Sequence, residues 1–499
     1  MDYLAFLEKD DQLKLKLVWL LETSHENRIS LKDVFSRLSV TRYKLNKVIA
    51  SLQLDLQTGE GLGQSSITIK DGVLFGEQIT FSVFRTLQLS LLRQSLRFQI
   101  FEYEYMAKST QSRQRFLEDH FISQAKYYLL RGEIDELLSS AAPFGGSGSV
   151  SVHPELSMRV KITNVYYYFF SGIEDPFPEL KEVTSKFTSF CAMTLGLSMT
   201  PSEKSKLAIF FQVQCKRINE QRFINLRQFL HVDHTDNMPF IKNFYLKNVE
   251  LAGEDDVTSE VGCLYLFLSS QNLIDNCPVT LAKPFKMQLI VIKNRFQQLL
   301  TTSVLLDHTQ LEEKRLARIA EQMSLNSYWM MLFDLHTTPE YYQHSDDRVN
   351  DDFPGLAMLA YQMTQEATDI LELKVNHEVR TKLVYNYLMA LIGVVPHEAV
   401  MDTVTVCVDF GQSKVPSNYM RKLLAFYLGG SVKFVNYLST DTDVYLSDTF
   451  VSGIHDIPQV TWPDPLRATN WENLHQIIVD VKKKKIQTCL NHAAHVSLT

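Results

Sequence analysis

Hydrophobic positions near the start of the chain repeat with helical spacing and break at short polar residues. Residues 12–22 (QLKLKLVWLLE) have the apolar content of a buried helix. Ser30 is placed to cap the next one, in which Leu31, Val34, Phe35 and Leu38 fall at i, i+3, i+4 and i+7. A short break, Ser39-Val40-Thr41, follows, with Val40 able to plug between two helices. Beyond it Leu45, Val48 and Leu52, with Ile49 beside them, mark a second buried stripe. That phase leaves Arg42, Tyr43, Lys44 and Lys47 outward. Two short helices, a tight turn and a basic outer face on the second helix make a helix-turn-helix pattern. Downstream, residues 67–75 alternate around Asp71-Gly72, which predicts a hairpin and hence a wing.

The pattern then recurs. Residues 82–106 read as helix rich in Phe, Leu and Tyr, residues 112–121 as a second helix, and Ser123 as the cap of a third. Ala125, Leu129, Ile134 and Leu138 are expected on the inner face of this third helix, with Gln124, Lys126, Tyr127 and Arg131 outside. A Gly-rich stretch, 144–149, precedes Val150-Ser151-Val152, which is expected to pair as a strand with Met158-Arg159-Val160. From about 160 to 395 the periodicity is almost wholly helical. Residues 206–217 and 382–392 are apolar nearly all round, which places each at the centre of a bundle. At Pro396 the grammar changes: a β-branched run over 403–408, a helix over 416–428, strands at 432–435, 444–446 and 459–461, and a closing helix over 470–484. Strands alternating with helices imply a small parallel α/β sheet. The expected fold class is thus multidomain and mostly α. Residues 1–80 form a winged helix-turn-helix domain and 81–159 a second helix-turn-helix domain; 160–277 and 278–396 form all-α bundles, and 397–499 an α/β domain.

Composition narrows the function. A chain of 499 residues is too long for one core. Its net charge of −7 argues against a protein coated in nucleic acid, but residues 1–140 hold 18 Lys+Arg against 18 Asp+Glu, so the deficit lies beyond them. Residues 34–54 carry four cations and no acid, and phosphate binding needs a local positive face rather than a positive protein. The six cysteines form no CxxC pair, which predicts a reducing compartment and argues against a disulfide framework or a zinc site. No apolar run is long enough to span a membrane, and the first residues lack the order of a secretory signal, so a cytoplasmic protein without membrane partners is expected. His231-x-x-His234 and His492-x-x-His495 bring no further ligand and read as chance pairs rather than a metal site. Lys482 to Lys485 read as a solvated helix end, and Gly145 to Gly148 as a linker with no phosphate-loop lysine. Neither a cofactor nor an enzymatic constellation is expected.

Two helix-turn-helix units, two helical modules and a terminal α/β module, in that order, resemble the Mga/RofA/AtxA family of regulators from Gram-positive bacteria. Residues 120–131 (HFISQAKYYLLR) are similar to the second DNA-binding unit of that family, the RofA-like branch above all. Residues 167–180 (YYFFSGIEDPFPEL) resemble the entry to its first phosphotransferase regulation domain (PRD). The resemblance implies a virulence or metabolic transcription regulator that binds promoter DNA as a homodimer. It further implies PRD-like bundles that take signals from phosphotransferase-system proteins, and a C-terminal EIIB-like domain that dimerises. The DNA-binding set is then Thr41, Arg42, Tyr43, Lys44 and Lys47 in the first unit, and Ser123, Gln124, Lys126, Tyr127 and Arg131 in the second.

The chain departs from the family where some members carry a phosphorylatable histidine. Ser205 stands at that place in the first bundle, and Tyr385 or Asn386 in the second. His231, His234, His336, His344 and His377 read as ordinary surface or loop residues. Cys407 lies inside a strand run with Asp409 beside it, unlike a phosphocarrier's nucleophile on the following loop, and is expected in the core. Three other classes compete. They are an EIIB-type phosphocarrier enzyme on residues 400–499, an RNA-binding PRD antiterminator, which would open with β structure rather than helices, and a helical scaffold without DNA binding.

Overall fold

A computed structural model describes residues 2–107, 110–140, 154–224, 230–232, 235–249, 254–271, 273–274, 278–281, 283–333, 350–371, 377–410, 414–428, 432–462 and 468–496. These residues are mostly helical, with a small parallel sheet near the C-terminus. They divide into two compact units, the first built on residues before Lys283 and the second on most of those from Lys283 onward. No helix among the described residues is long and apolar enough to cross a membrane.

The first unit opens with α1 (Lys9–Glu22), β1 (Arg28–Ser30), α2 (Leu31–Leu38), α3 (Arg42–Thr58), β2 (Ser66–Lys70) and β3 (Val73–Glu77). Its sheet is antiparallel in the order β1-β3-β2. The hairpin turns on Asp71 and Gly72, at φ 49° and 75°. Two consecutive positive φ values match the twist of the flanking strands, and Asp-Gly supplies them at low strain. Ser30 and Thr41 cap α2 and α3 by accepting from the Asp33 and Lys44 amides, at 3.1 and 3.3 Å. Ser39, left-handed at φ 50°, turns the chain between those helices. Val34, Leu45, Val48, Ile49 and Leu52 are buried with Leu17, Val18 and Leu21 of α1, as the periodicity predicts. Lys14 adds a polar tie, with Nζ 2.6 Å from Asp55 of α3.

Helices α4 (Phe81–Gln94), α5 (Leu96–Met106), α6 (Arg113–Asp119) and α7 (Gln124–Ser140) follow, and then α8 (Pro154–Phe170). Met158-Arg159-Val160 therefore lies in a helix and not in the expected strand; its expected partner, residues 150–152, is outside the described residues. Leu156, Arg159, Val160, Thr163, Tyr166 and Phe170 are all buried, so the short apolar run belongs to a helical stripe too long to see in three residues. The helical bundle continues with α9 (Lys181–Leu195), α10 (Pro201–Asn219), α11 (Met238–Asn248) and α12 (Glu254–Ser270), plus a two-stranded pair, β4 (Leu230–Val232) and β5 (Val279–Leu281). Helix α10 is central, with Leu207, Phe210, Phe211, Val213 and Gln214 buried around its circumference. Its start is held by a capping box between Thr200 and Glu203.

The second unit comprises α13 (Lys283–Thr302), α14 (Glu313–Phe333, whose last turn is assigned to the first unit), α15 (Pro354–Ile370) and α16 (His377–Val394), followed by the α/β module. That module has β6 (Val404–Asp409), α17 (Lys414–Leu428), β7 (Val432–Val435), β8 (Val444–Ser447), β9 (Gln459–Thr461) and α18 (Ala468–Val496). The sheet is parallel in the order β7-β6-β8-β9, with Val406 opposite both Phe434 and Val444. Lys482 to Lys485 do not end a helix, and although Lys483 and Lys484 are exposed, the run is not wholly solvated. Lys482 is 3% exposed and donates to the Asp352 carbonyl, Lys483 pairs with Asp351 at 2.5 Å, and Lys485 reaches Asp443 at 2.6 Å. The run falls in mid-helix because α18 extends well beyond the expected 470–484, and three of its lysines face carbonyls and carboxylates of neighbouring segments.

Candidate nucleic-acid interface

In the α2–α3 helix pair every outward residue predicted on α3 sits at its N-terminal end. Thr41, Arg42, Tyr43 and Lys47 are exposed, Tyr43 by 81%. The first turn of α3 holds no acid of its own, so its N-terminal amides and the Arg42 and Lys47 cations favour an anion there, offset in part by Asp10 of α1. Lys44 differs from its neighbours, because its ammonium is bonded to Asp10 of α1 and is only half exposed. The hydrogen bond from Lys44 holds the Asp10 carboxyl below its ordinary range, with Lys47 and Lys14 adding to the effect. Asn46, which the charge pattern did not single out, is exposed one helical turn from Arg42. Its amide is of the type that bonds an adenine edge in a major groove. The wing turn at Asp71-Gly72, with Lys70 exposed before it, completes the unit.

The α6–α7 helix pair requires a correction. Tyr127 does not point outward: it is fully buried, with its ring edge-on to Phe116 at 6.0 Å and its hydroxyl donating to Glu104 of α5. Burial, and then that hydrogen bond, push its phenol far above the usual tyrosine range. The inner face of α7 is Tyr127, Leu130, Ile134 and Leu138, whereas Ala125 and Leu129 are exposed, Leu129 by 59%. Tyr127, unlike Tyr128, continues the stripe of Leu130, Ile134 and Leu138 at i, i+3, i+7 and i+11, and its hydroxyl also meets Glu104, whose carboxylate is nearly buried and needs donors. Arg131 is also turned to this purpose, 3.5 Å from Glu104 and 3.7 Å from Asp135, so it is not a free cation.

Ser123, Gln124 and Lys126 are exposed as expected, and Ser123 caps α7 by accepting from the Lys126 amide at 3.2 Å. Residues that sequence reasoning passed over join them. The Arg113 guanidinium lies over the Tyr128 ring at 5.4 Å and bonds its hydroxyl, and Arg115 is exposed nearby on α6. Phe121, at φ 51° in the turn, is 96% exposed. The turn between α2 and α3 and the turn between α6 and α7 thus share a left-handed residue, Ser39 in one and Phe121 in the other.

Elsewhere, Ser205 is a half-buried residue of α10, and Tyr385 and Asn386 lie half-buried in α16. Cys407 is 2% exposed in β6, and burial, then Asp409, raises its thiol. His234, His336 and His344 lie outside the described residues, as does the Gly145 to Gly148 stretch. Among the described residues no group of three or more His, Cys, Asp or Glu side chains is arranged to hold a metal. A scan against protein-family models finds no match to the chain, and a search of curated proteins finds no significant similarity.

Proposed function

We propose that this protein is a double-stranded-DNA-binding transcriptional regulator acting as a homodimer. The observation that carries the reading is the acid-free N-terminal face of α3, with Arg42, Tyr43, Asn46 and Lys47 exposed, on a three-helix, three-stranded unit with a hairpin wing. An α-helix of this kind fits a major groove, where Arg42 and Lys47 reach phosphate or guanine and Asn46 an adenine. Helix α7 supplies the second contact through Gln124, Lys126 and the Arg113–Tyr128 pair. The PRD-like bundles serve as sensors of phosphotransferase-system proteins, and the EIIB-like α/β module contributes to the dimer. Burial of Cys407 weighs against a phosphocarrier built on that module, since a nucleophilic thiol must be exposed and ionisable.

Fluorescence-anisotropy titration of random and genomic duplexes at several salt concentrations tests this. Binding should weaken steeply with salt, with a slope set by the number of phosphates neutralised. Absence of binding in dilute buffer overturns the reading. Light scattering should give twice the monomer mass at micromolar concentration.

A further inference from the structure

Taking α7 as a DNA-contacting helix, we propose that Arg217 of α10 is a positioning residue through which the helical bundle sets the pose of α7. Its guanidinium faces two ways. On the bundle side Nε bonds Glu155 at 2.9 Å; on the other, Nη1 donates to the Tyr105 carbonyl of α5 at 2.6 Å. Each end continues into a chain of shared acceptors. Glu155 also binds Arg159 at 3.1 Å, and Arg159, fully buried, binds the equally buried Glu260 of α12, with Nη2 to Oε1 at 2.9 Å. The Tyr105 hydroxyl donates to Asp135 of α7, which is also 3.7 Å from Arg131. Arg131 in turn shares Glu104 with Tyr127. Two sets of polar contacts, joined through the Tyr105 residue from its backbone carbonyl to its phenol hydroxyl, therefore link the middle of the bundle through α5 to α7.

Two features make this path more than adjacency. Charges as deeply buried as Arg159 and Glu260 are stable only while fully paired, so a change at one member forces its partners to rearrange. Each intermediate carboxylate serves two donors, so the rearrangement passes along rather than stopping at one pair. Helix α3 has no member in this path; aliphatic packing and the Lys14–Asp55 pair hold it. A perturbation at Arg217 should therefore loosen α7 and leave α3 unchanged.

Hydrogen exchange on the free full-length protein tests the link without any DNA, so its outcome is separate from that of the regulator reading. In Arg217→Lys, which keeps the charge but not the two-way geometry, the α7 amides should exchange roughly tenfold faster, within the range expected of coupled sites. Those of α3 should be unchanged. Tyr105→Phe, which cuts the path beyond Arg217 and disturbs little else, should reproduce the α7-specific effect. In the same variants the preference for a duplex selected by the wild type over random duplex should fall several-fold, while the salt slope on random duplex stays constant. Unchanged α7 exchange in both variants, or faster exchange confined to α8 and α10, overturns the proposal. If the wild type ignores duplex DNA, the regulator reading fails and the exchange result still decides whether Arg217 positions α7.

Discussion

The α2–α3 and α6–α7 helix pairs share a plan but not a basis of stability. Helix α3 is seated by Leu45, Val48, Ile49 and Leu52, aliphatic side chains whose spacing leaves one possible inner face. Helix α7 is seated by a tyrosine hydroxyl and an arginine on one buried carboxylate, with Leu130, Ile134 and Leu138 below. The first is non-directional and tolerant; the second depends on partners supplied by another helix. A helix seated by hydrogen bonds to its neighbour is also one whose pose the neighbour can alter.

The sharpest way to break this comparison is to exchange the roles of the adjacent tyrosines. Tyr127→Ala should destabilise the first unit by about 3–5 kcal/mol in a denaturant titration, the usual loss for a buried aromatic ring. Tyr128→Ala should leave stability within about 0.5 kcal/mol, as surface substitutions do, and weaken duplex binding instead. Equal stability losses at both positions would mean that α7 is rotated from the arrangement described.

Next in size is the loss of the free cations of α3. Arg42→Ala with Lys47→Ala should weaken binding to all duplexes by roughly tenfold or more at moderate salt and flatten the salt slope by about two. Lys126→Ala alone should flatten it by about one. Lys44→Ala should do less than Lys47→Ala, because Asp10 already neutralises Lys44. The complementary change, Asp10→Asn, releases that ammonium and should steepen the slope by up to about one.

The smallest expected effect is a pH dependence confined to the first unit. The Asp10 carboxyl is held below its ordinary value, so the Lys44 pair is intact above the usual aspartate range, near about 3.9, and is lost as pH falls through the depressed folded value. Wild type and Asp10→Asn should differ slightly in melting temperature at neutral pH and converge under acid. A difference that grows on acidification would reverse the assigned sign.

Much of the fold was legible because its signals are local. Ser30 and Ser123 as caps, Asp71-Gly72 as a hairpin turn, and the β-branched run at 403–408 as the first strand of the parallel sheet each follow from a few neighbouring residues. Misreadings arose where a short segment had to be interpreted without its partner. Residues 158–160 resemble a strand until the whole stripe from Leu156 to Phe170 is counted. Lys482 and Lys485 look solvated until Asp352 and Asp443 are brought alongside. The same division runs through the candidate site. Arg42, Tyr43 and Lys47 lie outside an aliphatic helix and were found from spacing alone, whereas Asn46 was missed because a neutral amide leaves no mark on a charge count.

By itself, the amino-acid order determined the mostly helical character, the small parallel sheet near the C-terminus, the caps and turns that bound several helices, and the cationic outer face of α3, because propensity, capping and aliphatic periodicity act over one or two helical turns. Tertiary structure alone decided which arginines and tyrosine hydroxyls are committed to buried carboxylates and which remain available to a ligand. Those choices belong to Glu104, Asp135 and Glu155, carboxylates that meet their donors across helix interfaces. The electrostatic cost of leaving such groups unpaired outweighs the small hydropathic preference that is visible along the chain.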